Sequence, residues 1–227
     1  MQGMRPPLVL FDLDNTLVDR QGTLASWVAG FVARHGLGEV EYEYVLGLVR
    51  ERTYPATFEA IRARCDLSAP ASELWDTYCR DIAAMVSCPA EVLDGLDELR
   101  AAGWRVGVAT NGMADIQWAK LRATRIVDHV DGAYVSGEGE VRKPEAGHFA
   151  LAAQRCGTAL SDGGWMVGDN PVNDVGGGRA AGLHTIWIAH GRRPWDPSAP
   201  APDHTVSCAR AAVDLLLPGV SRLRGRT

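Results

Sequence analysis

The chain has 227 residues with 46% hydrophobic content, enough for one large domain or for a core carrying a smaller insert. Its formal net charge of -5 argues against non-specific nucleic-acid binding and against a polybasic membrane role, so a phosphate site would need local positive charge. Of the 23 basic residues only Lys120 and Lys143 are lysines; the five cysteines (Cys65, Cys79, Cys88, Cys156, Cys208) form no CxxC pair and read as free thiols in a reducing compartment.

The segment Met1 to Pro7 lacks an apolar signal-type region, and no run reaches membrane-span length, so the cytoplasm is the expected location. Leu8 to Phe11 reads as a strand. From about Ser26 to Val86 the pattern is helical, broken near Gly36-Leu37-Gly38, Pro55 and Ser68-Ala69-Pro70, with no strand between the helices. Glu91 to Ala102 is a helix stopped by Gly103, and Trp104 to Ala109 is a strand ending in Thr110-Asn111-Gly112. A helix over Ala114 to Thr124, a short strand over Ala133 to Val135 and a helix over Glu145 to Arg155 follow. Trp165 to Val167 is a strand ending in Gly168-Asp169-Asn170. Val175 to Ala181 is a short helix, Thr185 to Ile188 the last core strand, residues 191–203 Pro-rich and irregular, and Cys208 to Leu217 a terminal helix ahead of a disordered basic tail. Strands alternating with helices predict an α/β fold: a Rossmann-like core with a parallel sheet, helices on both faces and an inserted helical unit.

Asp12 and Asp14 break the apolar pattern at the end of the first strand. A buried unpaired carboxylate is costly, and a hard divalent cation such as Mg²⁺ would compensate it while leaving room for a substrate phosphate. The pair also suits covalent chemistry, in which one carboxylate attacks phosphorus and the other moves the proton. The polar clusters Asp12-Leu13-Asp14, Thr110-Asn111-Gly112 and Asp169-Asn170 all lie at carboxyl ends of strands, where open parallel sheets bind ligands.

Taken singly, each of these motifs has an ordinary reading. Asp12-x-Asp14 and Thr110-Asn111-Gly112 could be turns, Lys143 a solvated lysine, and Asp169 to Asp174 a helix cap. In order, Asp12-x-Asp14-x-Thr16, Thr110-Asn111-Gly112, Lys143-Pro144 and Gly168-Asp169-x4-Asp174 resemble the haloacid dehalogenase superfamily, phosphatase branch. The resemblance covers roughly residues 6–20 and 88–217. It implies a hydrolase core at 1–20 and 88–227 and a helical cap at 21–87. By resemblance, Asp12 is the nucleophile and Asp14 the acid/base. Mg²⁺ is held by Asp12, the Asp14 main-chain carbonyl and Asp169, with Asp174 acting through water or neighbouring bonds. Thr110 and the amides of Asn111 and Gly112 hold the phosphate, and Lys143 neutralises nucleophile and phosphate.

The expectation is a Mg²⁺-dependent phosphatase acting on a small phosphorylated metabolite through an aspartyl-phosphate, with no nucleic-acid or membrane partner. Val135-Ser136-Gly137-Glu138 and the 167–195 stretch resemble members acting on nucleoside monophosphates and small sugar phosphates. The rivals are a haloacid dehalogenase, which Asp14 disfavours, and a non-catalytic phosphate-binding protein on the same fold. A phosphonate hydrolase needs a cap lysine, and none lies between Asp19 and Pro89. Candidate cap contacts are Trp27, Arg34, Tyr42, Tyr44, Arg50, Arg52 and Tyr54, and Gly22 and Pro89 are the expected hinges. The Gly176-Gly177-Gly178 run marks either tight packing or a loose helix.

Overall fold

Leu8–Phe11 form strand β1, buried at all four positions, in a computed structural model that describes residues 6–50, 53–190, 195, 197–198 and 200–217. Four helices follow: α1 (Arg20–Arg34), α2 (Glu39–Arg50), α3 (Pro55–Arg64) and α4 (Ala71–Met85). Next come α5 (Ala90–Ala101), β2 (Arg105–Thr110), α6 (Ala114–Ala123), α7 (Ile126–His129), β3 (Gly132–Val135) and α8 (Ala146–Arg155). The chain then forms β4 (Trp165–Gly168), α9 (Gly177–Ala180), β5 (His184–Ile188), β6 (His204–Val206) and α10 (Ala209–Leu216). The basic tail expected to be disordered falls at 218–227, outside the described residues, as do parts of the Pro-rich stretch.

The six strands among the described residues are all parallel, in the order β3-β2-β1-β4-β5-β6. Strand alternation sorts side chains to the two faces. Val9 and Phe11 join a cluster with Val106, Val108 and residues of α5 and α10. Leu8 and Leu10 pack on the other face with Met166 and with Phe149 and Ala152 of α8. Helices therefore cover both faces, as a parallel sheet with apolar strands requires. From β1 the chain builds outward through β2 and β3, then returns to the far side of β1 with β4. That reversal opens a crevice at the carboxyl end of β1.

The helices α1–α4 share a cluster of their own, with Trp27, Phe31, Phe58, Trp75, Tyr78 and Ile82 at its centre. Ile116 of α6 belongs to it as well, and Trp75 Nε1 donates to Asp115 Oδ2 at 2.8 Å. The helical segment is thus docked on α6 through α4.

Several expectations change. Gly22 is no linker hinge: it lies in the first turn of α1, where Asp19 caps the helix by accepting from the Gly22 amide. The helix expected at Val175 to Ala181 begins earlier, as a π-helical turn over Pro171–Gly176 that continues into α9. Asn170 starts that turn by accepting from the Val172 and Asn173 amides. Of the glycine run, two positions are tightly packed. A Cβ would sit 2.8 Å from Pro144 Cα at Gly177 and 3.0 Å from Met166 Cβ at Gly178. Strand β6 was not anticipated, because three residues at an exposed sheet edge carry too little apolar periodicity to signal a strand.

Candidate active site

The sheet order alone brings the strand-end residues together. Asp12 follows β1, Thr110 ends β2 and Asp169 follows β4; the Asp12 amide donates to Val167 O at 2.9 Å, continuing the ladder past the strand. Asp12 and Asp169 are each 7% exposed and Asp174 is 1% exposed. Carboxylate oxygens of these three residues lie within 4.8 Å of one another.

Lys143 reaches into this cluster from the loop before α8. Its Nζ donates to Asp12 Oδ1 at 2.6 Å and to Asp174 Oδ1 at 2.7 Å, and the side chain is 3% exposed. The loop is held by a reciprocal pair. Asn111 Nδ2 donates to the Lys143 carbonyl, and the Lys143 amide donates to Asn111 Oδ1, both at 2.9 Å. Burial would discharge Lys143, but the Asp12 and Asp174 carboxylates outweigh it and hold the ammonium above its ordinary value. Burial, opposed by Lys143 and aided by Asp174, pushes the Asp12 carboxyl up to about 7. One ammonium does not neutralise three buried carboxylates. An oxygen-only donor set with surplus negative charge fits a hard divalent cation such as Mg²⁺.

Asp14 is held by a separate set of groups. Lys120 Nζ donates to its two oxygens at 2.8 and 3.0 Å, Gln117 Nε2 donates to Oδ2 at 3.3 Å, and the Arg20 guanidinium lies 3.7 Å away. Burial would raise the Asp14 carboxyl, yet Lys120 and Arg20 prevail and hold it below the usual carboxylate range. Arg20 also donates to the Val49 and Arg50 carbonyls at the end of α2, tying the helical segment to Asp14.

A cavity of about 290 Å³ opens over these groups. From the helical segment Arg20, Thr53, Tyr54 and Tyr78 line it, and Met113, Arg142 and Asn173 close it from the sheet side. Asp12, Asp14, Thr110, Asn111, Gly112, Lys143, Asp169 and Asp174 all line this one cavity. Two expectations are redrawn. The Gly112 amide is engaged with Ser136 Oγ at 3.0 Å. Trp27 does not face the cavity: it is 2% exposed, stacked on Phe31 and donating to Asp81 inside the helical cluster. Of the other candidate contacts, Tyr54 alone lines the cavity among the described residues, and Arg52 falls outside them.

Lys120, Gln117 and Arg20 were missed in the sequence. Lys120 had a readable signal, since it is one of only two lysines and both prove to be buried at this site. Gln117 and Arg20 had none, because a glutamine and an arginine on amphipathic helices read as solvated.

Residues 9–188 match the family model described as haloacid dehalogenase-like hydrolase. A phosphoserine phosphatase of Thermus thermophilus is 34% identical over 164 residues, covering 72% of this chain and 64% of that protein. The HAD-hydrolase YfnB of Bacillus subtilis, crystallised with magnesium, superposes with a TM-score of 0.72 at 20% identity, over 93% of this chain and 99% of that one. A 2-haloacid dehalogenase of Pseudomonas syringae superposes with a TM-score of 0.64 at 25% identity, over 93% and 98% of the two chains.

Proposed function

The chain belongs to the haloacid dehalogenase-like hydrolases, and on that premise we propose that it is a Mg²⁺-dependent phosphatase that hydrolyses a small phosphorylated metabolite through an aspartyl-phosphate on Asp12. What carries the reading is the meeting of Asp12, Asp169, Asp174 and Lys143 in one buried cluster, with Thr110 beside it on the neighbouring strand. Asp12, Asp169 and the main-chain carbonyl of Asp14 would hold the cation, with Asp174 fixing Lys143 next to it. Bound there, Mg²⁺ supplies charge neutralisation for the phosphoryl oxygens.

In the first half-reaction an Asp12 oxygen forms a bond to phosphorus as the bond to the leaving oxygen breaks, and Asp14 gives that oxygen its proton. In the second, water attacks the phosphoryl group, its proton passes to Asp14, and the bond to Asp12 breaks, releasing inorganic phosphate. Lys143 neutralises the nucleophile and the transferring group, and Thr110 donates to a phosphoryl oxygen.

Residues 21–87 act in this reading as a cap over a hydrolase core formed by 1–20 and 88–227. The cavity of about 290 Å³ has room for a small phosphorylated metabolite. A haloacid dehalogenase is disfavoured by Asp14 and by the three-carboxylate cluster, which that chemistry does not need. All five cysteines are free thiols, in keeping with a reducing compartment such as the cytoplasm. The deciding experiment measures phosphate release from a panel of phosphorylated metabolites by wild type, by Asp12→Asn and by chelated enzyme. Loss in both altered samples is expected, and full activity in excess chelator would overturn the metal-dependent reading.

A further inference from the structure

We propose that Gln117 and Lys120, neighbours on one face of α6, are positioning residues that set the acid/base carboxylate and the phosphate-holding hydroxyl through a single bridge; the inference rests on the phosphatase reading above. Residues three apart on a helix share a face, and both side chains are buried, at 1% and 3% exposure. Lys120 Nζ donates to both Asp14 oxygens and, at 2.8 Å, to Gln117 Oε1. Gln117 Nε2 donates to Thr110 Oγ1 at 2.8 Å and to Asp14 Oδ2 at 3.3 Å. One continuous network therefore joins Asp14, at the end of β1, to Thr110, at the end of β2.

The chemistry of the donors fixes the direction of every bond. An ammonium only donates, so the amide atom that faces Lys120 must be the carbonyl oxygen. The amide nitrogen then faces Thr110 and also only donates, so Thr110 Oγ1 is the acceptor. A hydroxyl carries one hydrogen, and Thr110 donates it to no acceptor among the described residues. The hydrogen is left for a group entering the cavity, which Thr110 lines. Lys120 thereby orients Gln117, and Gln117 orients Thr110 as a donor towards a phosphate oxygen. The packing supports a built contact: a Cβ at Gly112 would lie 2.7 Å from Gln117 Cγ, so the phosphate-loop backbone comes close to this side chain.

The two arms make separable predictions, read on full-length variants with Mg²⁺. Gln117→Met removes the donor to Thr110 at similar volume. It should weaken competitive inhibition by inorganic phosphate about five- to tenfold, the scale of one neutral hydrogen bond, and raise KM alike for alkyl and nitrophenyl phosphates. Lys120→Met frees the Asp14 carboxylate. It should lower kcat for alkyl phosphates about tenfold or more relative to nitrophenyl phosphate, because a misplaced acid hurts the poor leaving group most. Lys120→Arg keeps a donor-only cation and should restore part of that ratio. Equal losses across substrates and inhibitor in both methionine variants, or no change in either, would overturn the positioning role. Should Lys120→Met not fold, the Gln117→Met inhibition constant and the Lys120→Arg leaving-group ratio decide alone. Turnover that survives in Asp12→Asn would instead overturn the phosphatase reading and this inference with it.

Discussion

The sheet edge and the helical segment above it are built on opposite terms. At the edge, four carboxylates and two lysines gather near the ends of apolar strands, most of them buried, with Asp12 and Asp174 paired to Lys143 and Asp14 paired to Lys120. The helical segment buries aromatic rings against one another, and its polar contacts are ties at its border, such as Trp75 to Asp115 and Arg20 to the end of α2. The edge is costly in stability, since buried charge costs more than apolar packing. The helical segment spends its side chains on its own core and leaves few of them, Arg20, Thr53, Tyr54 and Tyr78, to face the cavity. Substitutions at the edge should therefore damage turnover, and substitutions in the segment should damage stability or selectivity.

The largest effect should come from Asp12→Asn, which is isosteric but not nucleophilic. Turnover should fall below a few per cent of wild type while the circular dichroism spectrum stays native. Retained turnover, with contamination excluded, would remove the edge from the chemistry. Next, Asp169→Ala deletes a carboxylate proposed above to hold the ion. The Mg²⁺ concentration for half-maximal activity should rise by at least about 10- to 100-fold, as measured by titration after chelation.

Within the helical segment, Trp27→Ala should cost about 3–5 kcal/mol in urea unfolding, because it empties a site walled by Phe31, Phe58 and Tyr78. Selectivity of the folded variant between substrates should not move. A shift in selectivity without loss of stability would mean that the ring faces substrate after all.

His148 offers a sharper test of burial on the sheet side. It is fully buried against Tyr134, its Nε2 has no hydrogen-bond partner among the described residues, and burial foremost pushes its pKa down to about 3. The unfolded chain takes up a proton below its ordinary value of 6.5 and the folded chain does not. Stability should be unaffected above that value and fall as pH drops through the window from about 6.5 towards 3, by at most about 1.4 kcal/mol per pH unit. Comparing wild type with His148→Phe at pH 7 and pH 5 isolates the slope, and parallel losses in both proteins would contradict it. The smallest effect should be Tyr54→Ala, at the cavity wall. It should change kcat/KM between metabolites by a few-fold while leaving a small generic phosphate nearly intact, consistent with the modest selectivity of single wall contacts.

By itself the sequence determined the alternation of strands and helices, the parallel sheet, and the residues that interrupt apolar strands at their ends: Asp12, Thr110 and Asp169. These were legible because a polar or charged group at the end of a buried strand violates the local pattern, and the violation shows without knowing the neighbours. Only the tertiary structure decided which side chains complete the site. Lys120, Gln117 and Arg20 lie on helices whose polar positions look alike in sequence, and the docking of α4 on α6 and of α1 on the strand end selected them. Trp27 shows the same rule in reverse, since an aromatic residue on an amphipathic helix can face a cavity or a core equally well. Periodicity fixes the face of a helix relative to itself, whereas the partner of that face depends on contacts between residues far apart in the chain, such as Lys120 with Asp14.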